Sequence, residues 1–206
     1  MTNSESSPLH NLEKIIRSLP SHRTIMVCGR EDISMTLRTH PTVFFLVEGR
    51  ASLRLKSNGR IIADFRAPSA PGIEMLFSAS PDATIHVDGT ARLLQVPASD
   101  LTREIDRMGM WQDVFRVMTD HARQIRDNLT VSAFGSSYDI IRHHLMALSS
   151  TTREGMKPES FHRYISERST VSRSTLHKVI KSLQVGQYID IKRGKLIELR
   201  HLPEKY

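Results

Sequence analysis

The feature that most constrains this chain is a change of hydrophobic period near residue 100. Before it, Ala51, Leu53 and Leu55 alternate with Arg50, Ser52, Arg54 and Lys56, and Ile61, Ala63 and Phe65 continue the pattern. A period of two is the pattern of strands that bury one face. The apolar run Val43 to Val47 leads into the first strand, and Asn58-Gly59 between the two predicts a tight type I′ turn, whose central residues both need positive φ. A second pair of strands, Thr84 to Val87 and Arg92 to Val96, is predicted on either side of Asp88-Gly89. Residues 20–97 therefore read as an antiparallel β-roll or barrel, with a proline-rich interruption from Pro68 to Gly72. Ahead of it, Leu12, Ile15, Ile16 and Leu19 predict a short amphipathic helix ended by Pro20.

From Leu101 the period is helical. Trp111, Phe115, Met118, Ala122, Ile125 and Leu129 recur at alternating spacings of four and three, a seam of the coiled-coil type. Such a helix can pack on its own β-roll alone, but the length of the seam and the hinge-like Phe134-Gly135-Ser136-Ser137 after it favour self-association as a homodimer. Beyond the hinge, Tyr138, Ile141, Leu145 and Leu148 form one helical face, Ser149 to Lys157 predicts a loop, and Pro158 suits the first turn of another helix with Phe161 and Ile165 inward. Ser172 is the expected N-cap of a third helix, with Leu176, Val179, Ile180 and Leu183 as its core face and Gly186 closing it. Tyr188 to Ile191 and Leu196 to Leu199 predict two short strands around Lys192-Arg193-Gly194-Lys195, a hairpin with a cationic tip.

Fold class is thus α+β, with an N-terminal antiparallel β-roll at 1–99, a dimerisation helix at 100–134 and a C-terminal winged helix-turn-helix at 135–206. Charge agrees with that division. The chain carries +7, and residues 136–206 hold 13 Lys and Arg against 7 Asp and Glu, while residues 1–135 hold 16 against 15. A small basic domain on a near-neutral one is the electrostatic footprint of a nucleic-acid binder, because neutralised phosphates release counterions. The third helix of the basic part has one apolar side and one polar side bearing Ser172, Arg173, Ser174, Thr175, His177, Lys178 and Lys181. Arginine bonds bidentately to guanine, and hydroxyls bond to bases or phosphate, so these residue types suit a major groove. Lys192, Arg193 and Lys195 of the hairpin suit backbone phosphate. Double-stranded DNA is the expected partner.

Other chemistry finds little support. A single cysteine, Cys28, excludes an internal disulfide and a four-thiolate cluster within one chain, and fits a reducing cytoplasm. It lies between Arg23 and Arg30, which makes it a candidate redox site, although a lone cysteine is more often structural. His143 and His144 are adjacent and so diverge on a helix, a poor pair for a metal. No phosphate loop, nucleophile elbow or paired carboxylates are visible, no stretch has membrane-spanning length, and neither an enzyme, a cofactor nor a metal is expected.

With these elements in place, the chain resembles the Crp/Fnr superfamily of bacterial transcription regulators across most of its length. Ser172-Arg173-Ser174-Thr175-Leu176-His177-Lys178 is similar to that family's Ser-Arg-Glu-Thr-Val recognition helix. The resemblance implies base-reading roles for Arg173 and Lys178, with Ser174 where the family commonly has Glu, and RNA polymerase as a further partner. In the preceding segment Ser169 and Thr170 stand where an apolar residue and a Gly are usual. Length and layout also look like a small enterobacterial offshoot, the IprA-like regulators linked to peroxide resistance, which implies a role in stress response. The family's cyclic-nucleotide pocket uses a Gly-Glu pair and then an Arg for the phosphate. Pro71-Gly72-Ile73-Glu74 resembles only the first part, and no Lys or Arg occurs from Ala67 to Ala91. A phosphate beside Glu74, Asp82 and Asp88 would be unpaired, so cyclic AMP is not expected to bind. Two other functions stay open: a winged-helix protein that docks an acidic protein partner, and a small-molecule or redox sensor governed by its β-roll.

Overall fold

The computed structural model describes residues 7–37, 40–78, 82–153 and 160–204. Its contacts divide the chain into two compact units, Met1–Ile125 and Arg126–Tyr206. In the first unit α1 (Pro8–Ser18) buries Leu12, Ile15 and Ile16, with a proline at its start where the missing N–H costs nothing. The chain then enters a five-stranded antiparallel sheet made of β1 (Arg23–Ser34), β2 (Thr36–Leu37), β3 (His40–Leu55), β4 (Ile61–Arg66) and β5 (Ala83–Pro97). The strand order is β1-β5-β3-β2, with β4 on β3. Phe44, Phe45, Leu46, Leu93 and Leu94 are fully buried at its centre.

Two of the expected turns differ from the observed ones. Asp88-Gly89 does not turn: β5 runs through it unbroken, with Asp88 opposite Arg30 and Gly89 opposite Gly29. The partner strand β1 escapes a search for alternation because its second half is exposed apart from the half-buried Ile33. Between β3 and β4 the connection at Asn58-Gly59 is wider than a type I′ turn. Gly59 donates to the Leu55 carbonyl at 2.9 Å, and of the two residues only Gly59 has positive φ. Asn58 instead accepts from the Arg60 amide through its side chain, at 3.0 Å. Bulges between Leu46 and Glu48 and between Gly49 and Ser52 bend β3. At Gly49 the φ is +85°, and a Cβ would lie 2.2 Å from the Thr90 carbonyl oxygen, so the bend needs glycine.

Gln95, Val96 and Pro97 lead from the sheet into α2 (Ala98–Met108), which ends on a left-handed Gly109 before α3 (Trp111–Phe134) begins. The helical stretch expected from Leu101 is therefore two helices rather than one. α3 rests on the sheet through Val114 and Val117, both buried, through His121, and through Gln124, whose side-chain amide donates to the Asp64 carbonyl.

In the second unit, α4 (Ser137–Arg153) follows a two-residue break. The Ser136 amide and hydroxyl bond Asp139 at 2.9 and 2.7 Å, and the Asp139 amide returns a bond to the Ser136 hydroxyl, a reciprocal cap that starts the helix. The expected loop from Ser149 is helical as far as Arg153, since the chain there lacks a breaker before Gly155. Pro158 lies outside the described residues. Then come α5 (Phe161–Arg168), α6 (Arg173–Val185), β6 (Ile189–Lys192) and β7 (Lys195–Leu199). Ile141, Leu145, Phe161, Ile165, Leu176, Leu183 and Leu196 form their common core. The Tyr138 hydroxyl donates to the Pro203 carbonyl at 2.6 Å and ties the segment after β7 back to α4, over buried Leu202.

Candidate nucleic-acid interface

α5 and α6 are joined by the four residues 169–172, the layout of a helix-turn-helix. The turn works without the usual glycine. Ser169 is extended, with φ −135°, and no left-handed residue occurs in it. The Ser169 hydroxyl is buried, donates to the Ile165 carbonyl at 2.8 Å and accepts from the Val171 amide at 3.4 Å. A side chain thus satisfies backbone groups that a tighter turn would have paired itself.

Ser172 caps α6 as its sequence position predicts. Its hydroxyl accepts from the Thr175 amide at 3.1 Å and lies 2.9 Å from the hydroxyls of both Ser174 and Thr175. The three hydroxyls form one cluster at the helix start, where the amide ends carry partial positive charge. Leu176, Ile180 and Leu183 are buried and Val179 is half-buried, which points the other side outward. Arg173, Ser174, His177, Lys178 and Lys181 are exposed on it, and Thr175 is half-buried. Past the helix, Gly186 has an ordinary φ of −74°, and the left-handed position falls on Gln187 at 58°.

The hairpin of β6 and β7 turns at Arg193-Gly194, with φ of 52° and 74°. Two successive positive values are the type I′ geometry, which matches the twist of paired strands and leaves the tip short. Lys192, Arg193 and Lys195 are exposed around it, with Lys192 3.7 Å from Asp190. The hairpin touches the start of α5 through a bridge between Ser160 and Lys195 and through the Phe161 amide, which donates to Gly194. Helix α5, helix α6 and the hairpin also share one core, so the cationic tip and the exposed side of α6 belong to the same packed unit.

The six seam residues of α3 are divided. Trp111, Met118 and Ile125 lean half-buried on the core of their own unit. Phe115, Ala122 and Leu129 face out, with Phe115 72% and Leu129 47% exposed. These three are seven residues apart and form one stripe, because seven residues are close to two helical turns. Spacing alone put all six on one line and missed Val114 and Val117, which hold the helix to its sheet.

Cys28 is exposed on β1, opposite Thr90. His144 is buried with its ring nearly perpendicular to that of Tyr164, and the described residues contain no group of three or more His, Cys, Asp or Glu placed to hold a metal ion. No described helix is long and apolar enough to cross a membrane. Around the resembled nucleotide pocket, Glu74 sits on a short helical turn, Ile73–Leu76, where burial pushes its carboxyl up. Arg54 and Arg92, on the strands that flank this stretch, are engaged elsewhere: Arg54 lies 3.3 Å from Asp32 and donates to the Gly59 carbonyl, and Arg92 pairs with Glu48.

Residues 137–204 match the family described as winged helix-turn-helix DNA binding. The inhibitor of hydrogen peroxide resistance of Salmonella typhimurium is 26% identical over 206 residues, covering 98% of both chains. The protein of the same name from Escherichia coli is 28% identical over 167 residues, 79% of each. Among solved structures, the c-di-GMP responsive regulator CLP of Xanthomonas campestris superposes with a TM-score of 0.76 at 14% identity, covering 94% of this chain and 99% of that one. A CRP-family transcriptional regulator of Thermus thermophilus superposes with a TM-score of 0.66 at 18% identity, over 85% and 91%. The chain has the fold of the Crp/Fnr regulators, an antiparallel sheet domain with helices and a C-terminal winged helix-turn-helix, and is similar over 98% of its length to an enterobacterial inhibitor of hydrogen peroxide resistance.

Proposed function

We propose that this protein is a transcription regulator that binds specific DNA sequences as a homodimer, without a cyclic nucleotide. One observation carries the DNA reading: exposed Arg173, Lys178 and Lys181 on α6 and exposed Lys192, Arg193 and Lys195 on the hairpin belong to one packed unit, held together at Ser160 and Phe161. A helix of this kind reads base edges with its first turns, and a cationic tip beside it grips phosphate. Ser172, Ser174 and Thr175 then hold the helix start against the backbone or the bases. The exposed stripe Phe115, Ala122 and Leu129 supports pairing of two copies along α3, with Trp111, Met118 and Ile125 flanking it. Two parallel copies would bring two reading helices to successive half-sites and RNA polymerase to the same DNA. Against a cyclic nucleotide stand the half-buried Glu74 and the engagement of Arg54 and Arg92 with other groups. Selecting bound DNA from a random pool tests the proposal. Enrichment of an inverted repeat supports it, and recovery of no preferred sequence would favour an acidic protein as the partner.

A further inference from the structure

The basic unit contains a pair of imidazoles that its core does not require. His162, on α5, lies with its ring 3.8 Å from that of Phe161 and 4.5 Å from that of His177, tilted by 37° and 35°. The three rings form a short stack running from the core to the exposed face of α6. His177 ends the stack on that face, one turn after Arg173 and one turn before Lys181. Among the described residues the shielded Nε2 of His162 has no hydrogen-bond partner. The charged groups on the two helices are mostly cations, with Arg173, Lys178 and Lys181 on α6 and Arg163 and Arg168 beside Glu167 on α5; Lys195 is on β7 across the Ser160 bridge. α4 contributes the rings of His143 and His144, the latter against Tyr164. Burial first, and the facing His177 second, push the His162 imidazole below its ordinary value.

We infer that binding of DNA takes up one proton per protomer at the stack, carried by His177, with His162 as the neutral ring behind it. The inference rests on the DNA reading above. A line of phosphates laid along this face favours an imidazolium there, so the proton is held more tightly in the complex. Two imidazoles in ring contact cannot both charge at small cost, so the uptake stops at one. The sign follows from linkage: the complex binds more protons than the free protein, so affinity rises as pH falls. For a proton held tenfold more tightly beside the phosphates, the gain from pH 8 to pH 6 is roughly sixfold per protomer.

Isotherms of the full-length protein on its selected DNA at pH 6, 7 and 8, at constant ionic strength, test this. Calorimetry in two buffers of different ionisation enthalpy counts the protons. The wild type should tighten toward pH 6 with an uptake of at most one proton per protomer. His177→Gln, an exposed substitution, should bind with no pH response in this range, and His162→Phe, which keeps a ring against Phe161, should retain the response. A pH response that survives in His177→Gln, an uptake approaching two per protomer, or loss of the response in His162→Phe would each overturn the inference. Tight binding independent of pH would overturn it alone, whereas no binding at any pH would overturn the DNA reading with it.

Discussion

Two imidazoles and a carboxyl of the first unit are folded in, whereas a cluster of cations in the second stands out. His86 is 3% exposed and hydrogen-bonded to Asp32 at 2.8 Å, His121 is packed 4.7 Å from the Phe65 ring, and Glu74 sits in a half-buried turn. Burial is the first cause of each shift there, downward for both imidazoles and upward for the carboxyl. On α6 and the hairpin, by contrast, Arg173, Lys178, Lys181, Lys192, Arg193 and Lys195 are all exposed. A buried polar group stabilises or destabilises the unit that holds it, while an exposed cluster on a rigid support is free to act on something else. The buried His86 and the half-buried His121 and Glu74 therefore bear on the stability of the first unit, while the cations of α6 and the hairpin are the ones left available to a partner.

The strongest challenge to that division is the apolar stripe of α3, an outward feature that begins in the first unit. Phe115→Glu introduces a charge in each copy at a site where burying two phenyl rings contributes about 3–6 kcal/mol. Sedimentation should show the wild type dimeric at micromolar concentration and the variant monomeric. A variant that stays dimeric would move the interface off this stripe. A smaller effect is expected from pH in the first unit. His121 is held down to about 4 from an ordinary 6.5, because the sheet strips it of water. A depressed value contributes stability that is fully present above pH 6.5 and is lost as the pH falls toward 4. After allowing for its partial exposure, the loss is on the order of 2 kcal/mol. Urea midpoints at pH 7 and pH 4.5 should separate the wild type from His121→Leu, which cannot gain the proton; equal pH sensitivity in both would deny His121 this role. Ser172→Ala should cost the second unit about 1 kcal/mol through the lost cap, read as a fall in its thermal midpoint, with the first unit unaffected.

The second unit was the more legible in the sequence. Its N-cap, its core spacing and its cationic hairpin are local, and each residue needs only its near neighbours to declare itself. Ser172, Leu176 and Leu196 all take their expected places. Where sequence fell short, distant contacts decided. Asp88-Gly89 has the composition of a turn, yet β1, some sixty residues earlier, pairs across it. Arg193-Gly194 takes the type I′ turn that Asn58-Gly59 suggested, since in the longer β3–β4 connection the Asn58 side chain bonds locally instead. The seam of α3 was visible as a period, but its division into a half leaning on the sheet and a half facing out depends on where the sheet lies. The His162–His177 stack had no sequence signal, because the two residues are on different helices and meet only when α5 packs on α6.

If α6 reads bases while the hairpin holds phosphate, the two must fail differently, and binding isotherms on selected and random DNA at several salt concentrations compare them. Arg173→Ala should weaken the selected site by about 1–3 kcal/mol, relax preference at one base position and spare random DNA. Lys192→Ala should weaken both DNAs by similar factors and lower the slope of log K against log salt by roughly one contact. Equal, sequence-independent losses in the two variants would contradict the assignment of Arg173 to the bases and reduce the surface to a generic cationic patch.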